Sequence, residues 1–370
     1  MHKLRLPILR TLLIAILGVV IPGNLAAQQL IPAPKQLVRH SQKYVQVRTI
    51  DARLHSRADL PEEGYTLSIR GTKARLRART AQGLVWARAT LQQLRRPDGT
   101  YPEVSIRDYP AFPLRGFMYD CGRTFRPTEQ LKRDIDLLSS YKINVYHLHL
   151  TDHPAWRIES RAYPQLNLPE NHETGRDEGK FYTYRELHEL IAYARERGIT
   201  IIPEIDMPGH MVAAIAAYPE FSCDPSRTYE VRVAKGVSTD VLNVGSDQVI
   251  DFLKCVLDHM AQIFPYEYIH LGGDECPTTV WQNNPDCARR IREEGLAGVH
   301  ELQPWLVETL GTYLYEKYGK KVVAWNELQD HWKAEYQTEL VIMPWTSTPA
   351  EAAKRGFRSI YTPARATIST

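Results

Sequence analysis

The chain has 370 residues, room for one large domain or a large one with a small companion at roughly 100 to 200 residues per domain. With 43% apolar, 24% charged and 9% aromatic residues its composition is that of an ordinary globular protein, which excludes disordered and collagen-like chains. The net charge of +3 conceals an asymmetry: residues 1–110 hold 18 Lys and Arg against 7 Asp and Glu, and the rest hold 28 against 36.

At the amino terminus Lys3, Arg5 and Arg10 precede an apolar run from Leu12 to Ile21, then Pro22-Gly23 and the small pair Ala26-Ala27. This is the layout of an export signal over residues 1–27. The run falls short of the about 20 apolar residues of a membrane-spanning helix, so no stable membrane span is expected, and the protein is expected to be exported, periplasmic or secreted in a bacterium.

Residues 28–110 read as a small α/β domain. Tyr44 to Val47, Tyr65 to Ile69 and Ala74 to Ala78 have strand character, and Gly83 to Leu94 has helical periodicity. Lys73, Arg75, Arg77 and Arg79 alternate with apolar residues, the pattern of a strand with one solvated face, so the basic excess is not read as a nucleic-acid surface. Pro110 and Pro113 then interrupt any regular element, which places the domain boundary at about residue 110.

From residue 111 to 370, short apolar runs alternate with amphipathic helices. The runs are Leu114 to Tyr119, Ile143 to Leu150, Ile199 to Ile205, Tyr268 to Leu271, Lys321 to Trp325, Leu340 to Trp345 and Phe357 to Tyr361. The predicted helices include Thr128 to Tyr141, Tyr184 to Arg197, Ser246 to Ile263, Leu302 to Tyr318 and Pro349 to Arg355. Alternation of this kind predicts parallel β/α units and a (β/α)8 TIM-type barrel, incomplete at its C-terminus; an open doubly wound sheet would usually carry a glycine-rich phosphate loop after its first strand. The five cysteines (Cys121, Cys223, Cys255, Cys276 and Cys287) have no paired C-x-x-C spacing and are odd in number, against both a zinc cluster and a disulfide framework.

In a (β/α) barrel the active site lies at the carboxyl ends of the strands. The first run leads to Asp120 and Arg123, the second to His147, His149 and Asp152, and the third to Glu204, Asp206 and His210. The fourth ends in Gly272-Gly273-Asp274-Glu275, the fifth in Trp325-Asn326-Glu327 and the sixth in Trp345. Six ends load one pole with ionisable and tryptophan side chains. Adjacent carboxyls at Asp274 and Glu275 disfavour each other's ionisation, so one can remain a proton donor near neutrality, and tryptophans offer flat faces to a sugar ring. Sequence neighbours need not flank a scissile glycosidic bond at the usual separation, so the nucleophile can come from elsewhere, the substrate included. His147 and His149 could instead be metal ligands of a metal-dependent hydrolase, but such a site wants further ligands from later strands, where no histidine is read at strands four to six.

These residues resemble glycoside hydrolase family 20, the β-N-acetylhexosaminidases. The resemblance runs from Ile31-Pro32-Ala33-Pro34 through Arg107-Asp108-Tyr109-Pro110, Arg115 to Asp120 and His147 to Asp152 with Trp156-Arg157, to the more specific Pro203-Glu204-Ile205-Asp206-Met207-Pro208-Gly209-His210 and His270 to Glu275. It implies a small α/β domain before a catalytic barrel, and exo-acting release of terminal β-linked N-acetylglucosamine or N-acetylgalactosamine from glycans. The implied mechanism is retaining, with the substrate's 2-acetamido group as nucleophile. By motif position Glu275 resembles the acid/base, and Asp274 the carboxylate that holds the acetamido N–H. Arg115 resembles the residue that fixes sugar hydroxyls, Trp325 and Trp345 two walls of an acetamido cage, and Asp152 with His210 a supporting pair. No metal or organic cofactor is implied, and no oligomeric state. His153 stands where many members have a second Asp. The family also implies further acetamido contacts and an eighth strand beyond the seventh; the sequence stops at Thr370 before them, so a catalytically silent sugar-binding fragment is the second functional expectation.

Overall fold

The computed structural model describes residues 30–55, 59–172, 177–231 and 236–362; the export signal read over residues 1–27 lies outside them. The amino-terminal unit comprises β1 (Gln36–Val45), β2 (Thr49–Leu54), β3 (Tyr65–Arg70), β4 (Lys73–Ala78), α1 (Ala81–Leu94) and β5 (Tyr101–Asp108). They form one sheet in the order β1-β5-β3-β4-β2, with α1 packed on one face. Its own core holds Leu67, Ile69, Leu76, Trp86, Leu91, Val104 and Ile106. In β4 the apolar residues are buried while Arg75, and Arg79 just past the strand, are exposed, the alternation of a half-buried strand. Thr80 caps α1 by accepting from the Gly83 N–H.

The second unit runs β6 (Gly116–Asp120), α2 (Thr128–Ser140), β7 (Val145–His149), a short hairpin of β8 (Thr151–Asp152) and β9 (Ala155–Trp156), α3 (Tyr184–Glu196), β10 (Thr200–Glu204), α4 (Val212–Ala217), α5 (Asp247–Ile263), β11 (Tyr268–His270), α6 (Pro285–Glu293), α7 (Leu302–Tyr318), β12 (Lys321–Trp325), β13 (Leu340–Met343), α8 (Pro349–Lys354) and β14 (Arg358–Ser359). Seven of its strands make one parallel sheet in the order β14-β13-β12-β11-β10-β7-β6, so each expected strand stands beside its predecessor, as in a TIM barrel. β7 and β13 are buried from end to end; β13 is the continuous apolar run of a parallel strand covered on both faces, while β7 carries His147 and His149 into the interior. Helix starts follow local chemistry: Thr183 with Glu186, and Thr348 with Glu351, form capping boxes. Among the described residues the sheet is curled but open, with β6 at one edge and β14 at the other. On the β6 edge Phe117 is 48% and Met118 36% exposed.

The two units meet at the amino-terminal pole of the parallel strands. Lys142, just after α2, reaches Asp108 Oδ2 at 2.8 Å and Tyr65 Oη at 2.9 Å, and Tyr65 donates to the same carboxylate at 2.8 Å. Burial pushes the Lys142 ammonium below its ordinary range despite the Asp108 partner. Arg115, immediately before β6, pairs with Glu63 at 2.6 Å and donates to the carbonyls of Lys142 and Phe112, each at 2.8 Å. This corrects the expectation that Arg115 fixes sugar hydroxyls: it stands at the opposite pole from the carboxyl ends, and Glu63 occupies its guanidinium. Asp108→Ala leaves the Lys142 cation buried without a counter-ion, and is expected to destabilise the protein by about 3 kcal/mol in urea unfolding; a loss below about 1 kcal/mol would show that the junction is not stapled by this pair.

Candidate active site

Four strand ends converge on the carboxyl pole. Glu204 closes β10, fully buried. Its Oε2 lies 2.8 Å from His147 Nε2 and 2.9 Å from His149 Nδ1, and its Oε1 accepts from Trp325 Nε1 at 2.7 Å and lies 3.2 Å from His270 Nδ1. Burial opposes the charge on Glu204, but His270, His149 and His147 outweigh it and hold the carboxyl well below the usual range. His149 turns its second nitrogen to Asp152 Oδ2 at 3.0 Å. Against the cost of burial, the nearby Glu204 and Asp152 carboxylates raise His149 well above its ordinary pKa.

Asp152 continues this chain outward. Its carboxylate, buried, also lies 3.3 Å from His210 Nδ1 and 2.8 Å from Arg123 Nη2. Burial opposes its charge, but the bonds to His149 and His210 win and hold it below its ordinary value. His210 carries its other nitrogen 3.6 Å from both Asp274 Oδ2 and Glu275 Oε2. A line of alternating sign therefore runs from Glu204 through His149, Asp152 and His210 to the Asp274–Glu275 pair. His153 stacks on His210 with ring centroids 4.7 Å apart, so the residue that departs from the family pattern packs against this line.

The pair itself sits on a tight turn after β11. Gly272 has φ +67°, and a Cβ there would lie 1.8 Å from Asp206 Oδ1, so only glycine fits; Gly273 donates its N–H to that oxygen at 2.9 Å. Glu275 (φ 46°) and His210 (φ 53°) both hold the left-handed backbone conformation, which is costly for residues other than glycine and clusters at functional sites. The Asp274 side chain is 18% and that of Glu275 36% exposed. Burial first, then the Asp274 and Glu204 carboxylates, push the buried Asp206 beneath the turn well above its usual range.

Trp325 ends β12 with its ring tilted over His270, centroids 4.7 Å apart. Trp345, just past β13, is half-buried and packs against the cluster of Val323, Trp325, Val341 and Met343. Asp274, Glu275, Asp152, His210, Trp325 and Trp345 thus gather at one pole, and Arg115 does not. The arginine at this mouth is Arg123, which pairs with Asp120 at 2.7 Å and with Asp152; the strand-end argument pointed to it while motif position pointed elsewhere. Glu204, His149 and Glu327 also belong to the site without having been assigned roles. The reason given against a metal reading is corrected too: His270 lies in β11, and His147, Glu204 and His270 can offer ligand atoms within 4.8 Å of one another. His270 Nδ1 accepts from the Gly272 N–H at 2.9 Å.

Fold and site together define a parallel β/α barrel architecture whose carboxyl-end mouth brings the adjacent carboxyls of Asp274 and Glu275 together with two tryptophans. "Glycosyl hydrolase family 20, catalytic domain" matches residues 112–367, and "Glycosyl hydrolase family 20, domain 2" matches residues 27–109. A beta-hexosaminidase of Vibrio furnissii is 40% identical over 338 residues, covering 87% of this chain and 55% of the relative. One of Porphyromonas gingivalis is 38% identical over 299 residues, covering 77% and 38%. The chain therefore spans about half or less of the length of these curated relatives. Among solved structures, a Vibrio harveyi exo β-N-acetylglucosaminidase in complex with N-acetylglucosamine superposes with a TM-score of 0.81 at 30% identity, covering 93% of this chain and 62% of that one. A Bacteroides fragilis β-N-acetylhexosaminidase gives 0.78 at 29% identity, covering 90% and 75%. The chain belongs to glycosyl hydrolase family 20.

Proposed function

We propose that this chain carries the catalytic centre of an exo-acting glycosidase that releases terminal β-linked N-acetylglucosamine or N-acetylgalactosamine from glycans, with retention and with the substrate's own acetamido oxygen as nucleophile. The observation that carries the reading is that one imidazole nitrogen, His210 Nε2, approaches both Asp274 and Glu275 at 3.6 Å. The two carboxyls are adjacent residues of one turn beside a common imidazole, which suits a mechanism whose nucleophile comes from the substrate and needs no protein carboxylate on the opposite side of the scissile bond. In this reading Glu275 gives its proton to the leaving oxygen while the acetamido oxygen bonds to the anomeric carbon and the glycosidic C–O bond breaks. Asp274 accepts the acetamido N–H and faces the positive charge of the cyclic intermediate. Glu275 then takes a proton from water as its oxygen adds to the anomeric carbon and the ring reopens. Trp325 and Trp345 flank the acetamido group, and Arg123 supplies the cation at the mouth that Arg115 does not.

The test is a pair of chromogenic substrates. A β-N-acetylglucosaminide is expected to be cleaved at least about 100-fold faster than the matching β-glucoside, because the glucoside lacks the nucleophile and leaves the site's polar groups unpaired; comparable rates would refute the substrate-assisted reading. The same assay separates turnover from sugar binding alone, for which N-acetylglucosamine would bind while neither substrate is cleaved.

A further inference from the structure

Beside the carboxyl pair stands a third carboxyl that the reaction above does not use. Glu327 lies in a 3-10 turn, Asn326–Asp330, directly after β12. Its two oxygens share one donor, the indole Nε1 of Trp345, at 3.0 and 3.2 Å. The neighbouring Asn326 holds the backbone of the same residue, its Oδ1 accepting from the N–H of Trp345 at 2.9 Å and of Thr346 at 3.1 Å, while its amide donates to Thr346 Oγ1 at 2.7 Å. The tip of β12 thus grips the tip of β13 twice, at the backbone through Asn326 and at the ring through Glu327. The ring grip matters because Trp345 is only half-buried. Packing covers part of the indole, and its single polar atom has Glu327 as its hydrogen-bond partner.

We propose that Glu327 is a positioning residue that sets the orientation of the Trp345 wall, and that loss of its charge loosens that wall. The inference rests on the reading of Trp345 as a wall of the sugar pocket. The groups that face Glu327 are Asp274 and Glu275 from the turn after β11, Trp345 from β13, and its own backbone N–H. Among the described residues no lysine or arginine forms an ion pair with it; at the mouth Arg123 pairs with Asp120 and Asp152, and His210 lies 3.6 Å from Asp274 and Glu275. Burial, with the like charges of Asp274 and Glu275 adding to it, raises the Glu327 carboxyl to about 7. The sign follows. Above about pH 7 the carboxylate is charged and the indole N–H makes a charge-assisted bond; below it the protonated carboxyl offers a weaker, neutral acceptor.

The experiment measures tryptophan emission against pH from 5 to 9 in wild type, Glu327→Gln and Trp345→Phe. A transition centred near pH 7 is expected in wild type and is expected to be lost in both variants: the amide bonds the indole without titrating, and phenylalanine removes the reporting ring. A wild type without such a transition, or one that persists in Glu327→Gln, overturns the proposal, since another group would then be titrating. The same samples are titrated with N-acetylglucosamine. Kd in wild type is expected to rise about fivefold between pH 8 and pH 5.5, and in Glu327→Gln to change by less than about twofold. Turnover separates positioning from chemistry: a loss confined to KM supports the proposal, whereas a fall of about 100-fold or more in kcat at unchanged KM would place Glu327 at the reacting atoms and overturn it. If no protein binds the sugar at any pH while the emission transition behaves as expected, the sugar-processing reading fails and the Glu327–Trp345 link stands.

Discussion

Glu275→Gln is expected to lower turnover of a β-N-acetylglucosaminide by about 10²- to 10⁴-fold, the usual contribution of a positioned acid/base, with KM changed by no more than about threefold. The side chain is held at the mouth by a left-handed backbone after two glycines that admit no Cβ without conflict. A glutamine therefore occupies nearly the same place, and what it lacks is the proton. The loss should depend on the leaving group: large for a poor one such as an alkoxide or a second sugar, and small for a dinitrophenolate, which departs without protonation. A variant that retains near wild-type turnover on a poor leaving group would remove Glu275 from the role of acid.

Asp274→Asn is expected to cost about 10²- to 10³-fold in kcat, the scale seen when one preorganised electrostatic partner is removed from a developing charge. The asparagine oxygen still accepts the acetamido N–H, so binding of the ground state is largely kept. The positive charge of the intermediate then has no counter-ion, and Glu275 cannot replace it because that residue is engaged in proton transfer. The change also reaches inward. After burial, Asp274 is the larger of the two carboxylates that raise Asp206, so the variant eases Asp206 toward ionisation. Steady-state kinetics separate the cases: a raised KM at unchanged kcat would mean that Asp274 only binds substrate, and the substrate-assisted mechanism would lose its charge partner.

Much of the fold is legible in the chain because its signals are local. All seven expected parallel strands form, and Thr128–Ser140, Tyr184–Glu196 and Leu302–Tyr318 are helices within a residue of expectation, since apolar periodicity and caps act over a few residues. The first sheet was less legible. Tyr101–Asp108 is a central strand paired with β1 and β3, although its Pro102 and charged residues mask an alternation that only its burial reveals. Pro285–Glu293 also went unread as a helix, despite Asn284 capping it through the Cys287 N–H, because its polar sequence leaves a narrow apolar face.

What the sequence by itself determined is the order of β/α units and the residues that end each strand, including the Gly272-Gly273-Asp274-Glu275 turn, because both are set by neighbours along the chain. The tertiary structure decided which of two nearby arginines belongs to the mouth. Arg115 and Arg123 flank the same strand, β6, and at about 3.3 Å per residue eight residues carry the chain from the pole where Glu63 captures one to the pole where Asp152 binds the other. It also decided in which direction each buried carboxyl is shifted. Glu204 and Asp206 are two residues apart in one motif, yet three imidazoles around the first pull it down against burial while burial, with Asp274 and Glu204 added, pushes the second up. Desolvation and the charges of side chains distant in sequence set these shifts, and both exist only once the strands stand side by side.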